Sequence, residues 1–226
     1  MALVGNPPED LGLIDLSFDE MLFWMYCPIK VPGWQFCLPA QLRQFEPIVA
    51  EVKRDLIIRT THAGGDLLGY MESIYVYLTA KTLWVDGKYV GNRPGWHTDG
   101  FGTDDINYIW SSRAPTEFFV THEPVEVSDD CDKSMEEMEK LFSLADWRSP
   151  DYVAETYRDK HLLRLDPTVM HRTPVFVQPG MRTFVKVSVS KNRYILKGNA
   201  VNHDLPASHW PLVDRETSRN HPTKEA

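Results

Sequence analysis

The chain has 226 residues, enough for one large domain with a substantial core, and we expect a single domain over residues 1–226. Its 42% hydrophobic and 25% charged residues are ordinary for a soluble globular protein, and no apolar run approaches the roughly 20 residues that cross a bilayer. The net charge of −8 disfavours nucleic acids as partners, because their phosphate backbones carry the same sign.

The sequence favours a reducing compartment. Its start carries Glu9, Asp10 and Asp15 where a secretory signal has a basic segment followed by an apolar one. The three cysteines are widely spaced without a Cys-x-x-Cys pair, which fits free thiols better than a disulfide framework. We therefore expect a cytoplasmic protein.

The first part of the chain, about residues 1–66, is predicted to be an N-terminal cover and a packing helix. Prolines interrupt residues 1–38, where the apolar run 21–26 predicts a short helix or strand. Over residues 40–59 apolar side chains recur at three- and four-residue steps, which predicts an amphipathic helix laid on a core. A loop is predicted over residues 60–66.

A β-rich core is predicted over about residues 70–195. Apolar and polar residues alternate over residues 71–80, as in a half-buried strand. The pair Asp86-Gly87 suits the positive dihedrals of a tight hairpin turn, with the second strand beginning at Tyr89. Further strands are predicted at residues 107–110 and 117–120.

A helical insertion is predicted to interrupt this core over about residues 128–160. Ser134 and Glu137 form a capping-box pattern, and apolar residues at helical spacing follow. A second short helix is predicted over about residues 151–159. The insertion is either a lid near a site or a passive surface excursion.

The last strands surround a tight turn. Residues 161–165 and 173–178 are predicted strands, and Pro179-Gly180 suits the turn before a regular strand at 181–190. The tail at 199–226 is predicted to be peripheral or partly disordered. Many short strands, one leading packing helix and one helical insertion predict a mainly β, jelly-roll or cupin-like β-barrel sandwich.

Three residues of this core suit a metal site. His97 and Asp99 stand two apart, so on an extended backbone both side chains point to the same side. With His171 they would form a set of two histidines and one carboxylate, the facial arrangement that leaves positions open on iron. His122 is a rival for the third ligand, and Asp104 and Asp105 are rivals for the carboxylate.

The chain resembles the Fe(II)- and 2-oxoglutarate-dependent dioxygenase superfamily. The resemblance lies in the order of four features: His97-Thr98-Asp99, His171, the Pro179-Gly180 turn and Arg182. The resemblance covers about residues 70–195 and implies a double-stranded β-helix fold. It implies that His97, Asp99 and His171 are the iron ligands and that Arg182 pairs with the distal carboxylate of 2-oxoglutarate.

The resemblance also implies the reaction class. Fe(II), 2-oxoglutarate and O2 would oxidise a small molecule or an exposed side chain, releasing succinate and CO2. An acid at position 99 implies hydroxylation or a related oxidation over halogenation. Many members have Ser or Thr two residues after the arginine, where this chain has Phe184. The candidate helpers of Arg182 are Ser188, Lys186, Tyr75 and Tyr77.

Two other classes of function remain open at this point. One is a cupin-like metalloenzyme that does not use 2-oxoglutarate, whose activity would survive loss of Arg182. The other is a non-catalytic β-barrel binding protein, which would not require His97. An oxygenase acting on nucleobases is disfavoured by the acidic balance.

Overall fold

The fold is mainly β, built from antiparallel strand pairs with few helices and consistent with a β-sandwich. A computed structural model describes residues 1–18, 20–175 and 177–216. The strands are β1 (Ala2–Val4), β2 (Glu9–Leu13), β3 (Leu22–Lys30), β4 (Tyr75–Val85), β5 (Ile106–Ser111), β6 (Glu117–Thr121), β7 (Val125–Val127), β8 (Tyr152–Thr156), β9 (His161–Leu165), β10 (Met170–Arg172) and β11 (Gly180–Ser190). The helices are α1 (Glu46–His62), α2 (Leu67–Ser73) and α3 (Cys131–Leu144), with 3-10 segments at Ala40–Phe45 and Pro206–His209.

The chain divides into two compact units. The first comprises residues 1–22 and 81–185, and the second comprises residues 23–80 and the described residues from 186 onward. Strands β4 and β11 each contribute residues to both units. The single-domain organisation expected from the sequence stays a prediction.

In the first unit, one sheet has the order β2-β9-β5-β11-β4 and another has the order β10-β6-β8. Side chains from both sheets form one buried cluster of Ile109, Phe118, Leu163, Leu165, Val169 and Phe184. Ile109 lies opposite Leu163 in the antiparallel register of β5 and β9. The two sheets therefore pack face to face, and the cluster is the core between them.

The other face of the three-stranded sheet is covered by α3. Trp96, Phe119, Met138 and Met170 are buried together there, with Phe142 of α3 packed against them. The helical prediction for this segment is confirmed, but its cap is Asp130, which accepts from the Lys133 N–H at 2.9 Å. The expected cap, Ser134, instead donates to the Cys131 carbonyl.

Truncation of Phe119 should be among the most destabilising changes in the first unit. The side chain is fully buried, with ring centroids of Trp96 at 5.9 Å, Phe142 at 5.5 Å and Tyr152 at 6.0 Å. We expect Phe119→Ala to lower the free energy of unfolding by about 3–5 kcal/mol in urea titrations. The control Phe23→Ala removes a ring that is 61% exposed and should cost less than about 0.5 kcal/mol. A loss below about 1 kcal/mol for Phe119→Ala would contradict this packing.

In the second unit, the predicted packing helix is confirmed and is longer than expected. It begins with the 3-10 segment at residue 40 and continues as α1 to His62, with Pro47 in the first turn, where a missing N–H is tolerated. The loop predicted at 60–66 is shorter, because α1 continues to His62. The next helix, α2, begins at Leu67 with Asp66 as its N-cap. The helix α2 was not predicted, and β4 accordingly starts at Tyr75.

Three local predictions in the core are wrong. Residues 151–159 were expected to be helical, but β8 lies there and pairs with β6 from Glu117↔Thr156 to Thr121↔Tyr152. At Asp86 the carboxylate accepts from the N–H groups of Lys88 and Tyr89, which closes the turn, but no strand follows at residue 89. A strand was expected at 173–178, but the strand before Pro179-Gly180 is β10, at Met170–Arg172. Residue 176 lies outside the described residues.

The described part of the tail is packed, contrary to the expectation of a peripheral segment. Leu205 and Ala207 are buried with Tyr194 and Leu196, and Trp210 packs against them. The Asn202 side chain donates to the carbonyls of Pro28 and Cys37, at 2.9 Å each. Residues 217–226 of the predicted tail lie outside the described residues.

Two expectations from composition agree with the structure. Cys27, Cys37 and Cys131 are free thiols. No helix within the described residues combines the length and the apolar character needed to cross a membrane.

Candidate metal centre

Two segments far apart in the sequence meet at one short backbone pairing in the first unit. His97 and His171 form an isolated antiparallel bridge, with N–O distances of 3.0 and 2.9 Å between their backbone groups. Gly95 and Gly100 frame the first segment with φ of 84° and 76°, the left-handed region that favours glycine. The backbone therefore fixes the two histidines side by side.

The structure brings the three predicted ligands together. One ligand atom from each of His97, Asp99 and His171 lies within 4.8 Å of the others, and His171 Nε2 is 3.6 Å from Asp99 Oδ2. The two imidazole centroids are 4.5 Å apart. Ligands bonded at about 2.1 Å to one ion lie about 3 Å from each other. The group could therefore hold a metal ion once its ligand atoms draw closer together.

The hydrogen bonds of the histidines fit metal binding. His97 Nδ1 lies 2.8 Å from the Gly95 carbonyl, and His171 Nδ1 lies 3.1 Å from the Val169 carbonyl. A carbonyl only accepts, so each Nδ1 carries the proton and each Nε2 keeps its lone pair for a metal. Metal-binding histidines are oriented in this way by their second nitrogen.

The site is buried on one side and more open on the other. The His171 side chain is 7% exposed, whereas the Asp99 side chain is 20% exposed. Phe118 lies against His171, with ring centroids 6.2 Å apart, and Tyr157 packs edge-on against Phe118 at 5.5 Å. Burial and the nearby Glu155 carboxylate, which accepts from the Tyr157 hydroxyl, raise the pKa of Tyr157 to about 12.

Adjacent residues on these strands point to opposite faces of the three-stranded sheet. His171 and Phe118 are on the side of the candidate ligands, whereas Arg172 stacks over the rings of Trp96 and Phe142 at 4.5 and 4.7 Å. Alternation along a strand accounts for this separation. The helix α3, to which Phe142 belongs, therefore packs on the face away from the metal ligands.

Arg182 is a buried cation near the start of β11. It is 3% exposed, and its Nε donates to the carbonyls of Arg113 and Ala114, at 3.1 Å each. Its Nη2 donates to Ser111 Oγ at 3.1 Å, and the guanidinium lies over the Phe184 ring at 5.2 Å. Within the described residues, no carboxylate forms an ion pair with it.

The electrostatics of Arg182 follow from this burial. Loss of water lowers its pKa to about 10, with Asp159 opposing that shift and Arg113 adding to it. The group is still a cation at neutral pH. A buried charge without a paired counter-charge is costly, and an anionic ligand would offset that cost.

Ser111 also lines a small cleft in the first unit. Thr116, Arg158 and His161 contribute polar groups to the same cleft, and Ile109 and Leu163 contribute apolar walls. Ser111, which accepts from Arg182, thus lines the same cleft as basic and other hydroxyl side chains. Sequence reasoning missed Ser111 because it is distant in sequence from Arg182.

The rival residues lie outside the group of three candidate ligands. Among the described residues, the group that could hold a metal contains neither His122 nor Asp104 nor Asp105. Ser188 is buried in the part of β11 that belongs to the second unit. In the part of β4 that belongs to the same unit, Tyr77 is buried and Tyr75 is half-buried. The role of Ser188 as a helper of Arg182 stays a prediction.

Comparison with known proteins places few constraints on this chain. No protein-family model matches it, and no curated protein matches it. Among solved structures it is similar to the crystal structure of EvdO2 from Micromonospora carbonacea var. aurantiaca, with 13% identity and a TM-score of 0.34. That alignment covers 66% of this chain and spans 64% of the other.

Proposed function

We propose that the protein is an Fe(II)- and 2-oxoglutarate-dependent dioxygenase that oxidises a small molecule or an exposed side chain. The observation that carries the proposal is that one unit contains both the His97, Asp99 and His171 group and the buried cation Arg182. No carboxylate among the described residues forms an ion pair with Arg182. A metal site alone is compatible with many chemistries. A separate buried cation supplies the reason to expect an acidic cosubstrate.

The strand order supports a double-stranded β-helix. Along the chain, β4, β5, β9 and β11 belong to one sheet of the first unit. The His97 bridge and the strands β6, β8 and β10 belong to the other. The chain passes repeatedly from one sheet to the other, as in jelly-roll folds. The bridge places His97 beside β10, at the edge of the second sheet.

The donor set supports iron as the metal. Two imidazole nitrogens and one carboxylate oxygen are the facial triad of non-haem Fe(II) oxygenases, and they leave positions open for oxygen and a chelating cosubstrate. When bound, Fe(II) would supply the activation of O2, to which spin-paired organic substrates are otherwise inert. The protein's own residues would orient the ligands and keep water from the buried side.

The surroundings of Arg182 support recognition of a carboxylate. A guanidinium presents a planar fork that matches a carboxylate in two parallel hydrogen bonds. Ser111 already accepts from Nη2, so its hydroxyl is held beside the position such a carboxylate would take. Phe184 provides a flat apolar support beneath the guanidinium. Ser111 therefore replaces the hydroxyl that many members of the superfamily carry two residues after the arginine.

The test is an anaerobic titration of the purified protein with Fe(II) and then 2-oxoglutarate. We expect a visible charge-transfer band that appears only when both Fe(II) and 2-oxoglutarate have been added. We also expect succinate to be released when air is admitted. A band absent from folded, Fe(II)-loaded protein, together with no succinate, would overturn the proposal. Metal binding without any response to 2-oxoglutarate would favour a cupin-like metalloenzyme instead.

A further inference from the structure

The peptide group between Gly95 and Trp96 makes two hydrogen bonds, one at each end. Its carbonyl, which belongs to Gly95, accepts from His97 Nδ1 at 2.8 Å. Its N–H, which belongs to Trp96, donates to Glu139 Oε1 of α3 at 2.8 Å. The three groups therefore form a continuous chain from a carboxylate, through one peptide unit, to the imidazole of a candidate metal ligand.

The local structure is built around this contact. A Cβ on Gly95 would lie 3.1 Å from Glu139 Oε1, and φ at this residue is 84°, so glycine allows both the turn and the close approach of the carboxylate. Phe142, one helical turn beyond Glu139, packs on the Trp96 ring with centroids 4.7 Å apart. The same face of α3 thus fixes both the backbone and the side chain of Trp96.

We infer that Glu139 is a positioning residue for the metal centre, acting on His97 through the Gly95–Trp96 peptide. In many metal sites a carboxylate accepts directly from the histidine, fixing its orientation and increasing its basicity. Here the peptide stands between them. A carboxylate on the N–H polarises the peptide and strengthens its carbonyl as an acceptor, since hydrogen bonds in a chain reinforce each other.

The helical insertion thereby has a role at the candidate metal centre. The helix α3 packs on the face of the three-stranded sheet opposite the candidate ligands. It can therefore affect the site only through the sheet and the segment that precedes His97. Arg172, next to His171, lies over Phe142 and Trp96 and pairs with Glu117 at 2.8 Å. The neighbours of both candidate histidine ligands are therefore held by contacts on the α3 side of the sheet.

This role for Glu139 rests on the proposed function, because it requires His97 to bind a metal. The experiment distinguishes failure of the role from failure of the proposed function. The metal-free protein is first compared by NMR in its wild-type and Glu139→Gln forms. We expect the Nδ1 proton of His97 to move upfield in the variant, because a neutral amide polarises the peptide less than a carboxylate. An unchanged His97 Nδ1 signal would overturn the inference, whatever the metal does.

Affinity for Co(II), a spectroscopic probe of Fe(II) sites, is then measured for wild type, Glu139→Gln and Glu139→Ala. We expect Glu139→Ala to weaken binding about 10- to 100-fold, the usual range for an outer-shell partner, and Glu139→Gln to weaken it less. The matched control is Glu136→Gln, an exposed carboxylate on the same helix, which should leave affinity unchanged. Equal affinity of Glu139→Ala and wild type would overturn the inference, whereas a wild type that binds no Co(II) would overturn the proposed function.

Discussion

Replacement of His171 by alanine is expected to abolish metal binding and turnover. The residue supplies one of three candidate ligands and is the most buried of them, so water replaces its nitrogen poorly. Loss of an outer-shell partner alone costs about 10- to 100-fold in affinity, and loss of a ligand should exceed that range. Isothermal titration with Fe(II) under argon would measure the loss.

The fold should survive this substitution. The pairing of His171 with His97 is made by backbone groups, which alanine retains. A circular dichroism spectrum and a melting temperature close to those of wild type would establish that the loss is local. The matched control is His122→Ala, an exposed histidine outside the metal group, which should keep full affinity. Wild-type affinity in a folded His171→Ala protein would contradict the assigned ligand set.

Replacement of Arg182 by methionine is expected to weaken 2-oxoglutarate binding by about 100-fold or more while leaving the metal in place. Hydrogen bonds to charged groups contribute about 1.5–3 kcal/mol each. Two such bonds to one carboxylate correspond to about 100-fold or more in affinity. The KM for 2-oxoglutarate should rise by this factor, and Fe(II) affinity measured without cosubstrate should stay within about twofold of wild type.

Methionine suits this position because it fills space over Phe184 without burying a charge. Its cost is the loss of a donor to the carbonyls of Arg113 and Ala114 and to the Ser111 hydroxyl, which a thermal melt would measure. The control for loss of a cation is Arg54→Met, at an exposed arginine of α1. It should change neither the KM for 2-oxoglutarate nor the affinity for Fe(II). An unchanged KM for 2-oxoglutarate in Arg182→Met would contradict the assignment of Arg182 as the partner of the cosubstrate carboxylate.

The conclusions from sequence hold best where the pattern is local. The His97-Thr98-Asp99 spacing predicted two candidate ligands on one side. The structure keeps them together, with His97 in a backbone bridge to His171 and Asp99 in the turn that follows. The packing helix at residue 40 was visible in apolar periodicity because one face of α1 is buried. These features depend on residues close together in the chain, so their physical cause can be read there.

Errors arose where partners far along the chain decide the structure. Residues 151–159 have no strong period of their own, and they become β8 because β6 offers an edge with which to pair. The tail was expected to be peripheral from its polar composition. Asn202, a polar residue, is nevertheless buried because the carbonyls of Pro28 and Cys37 satisfy its amide.

The sequence by itself determined the type of the candidate ligand set and the presence of an arginine soon after Pro179-Gly180. Residue types and short spacings are enough for that, since they specify which chemical groups are present and which side of a strand they share. Only the tertiary structure decided what surrounds these groups. Ser111 reaches Arg182, and Glu139 reaches the peptide before His97, across 71 and 43 residues of chain. Such contacts follow from strand register and helix packing, which no local pattern contains.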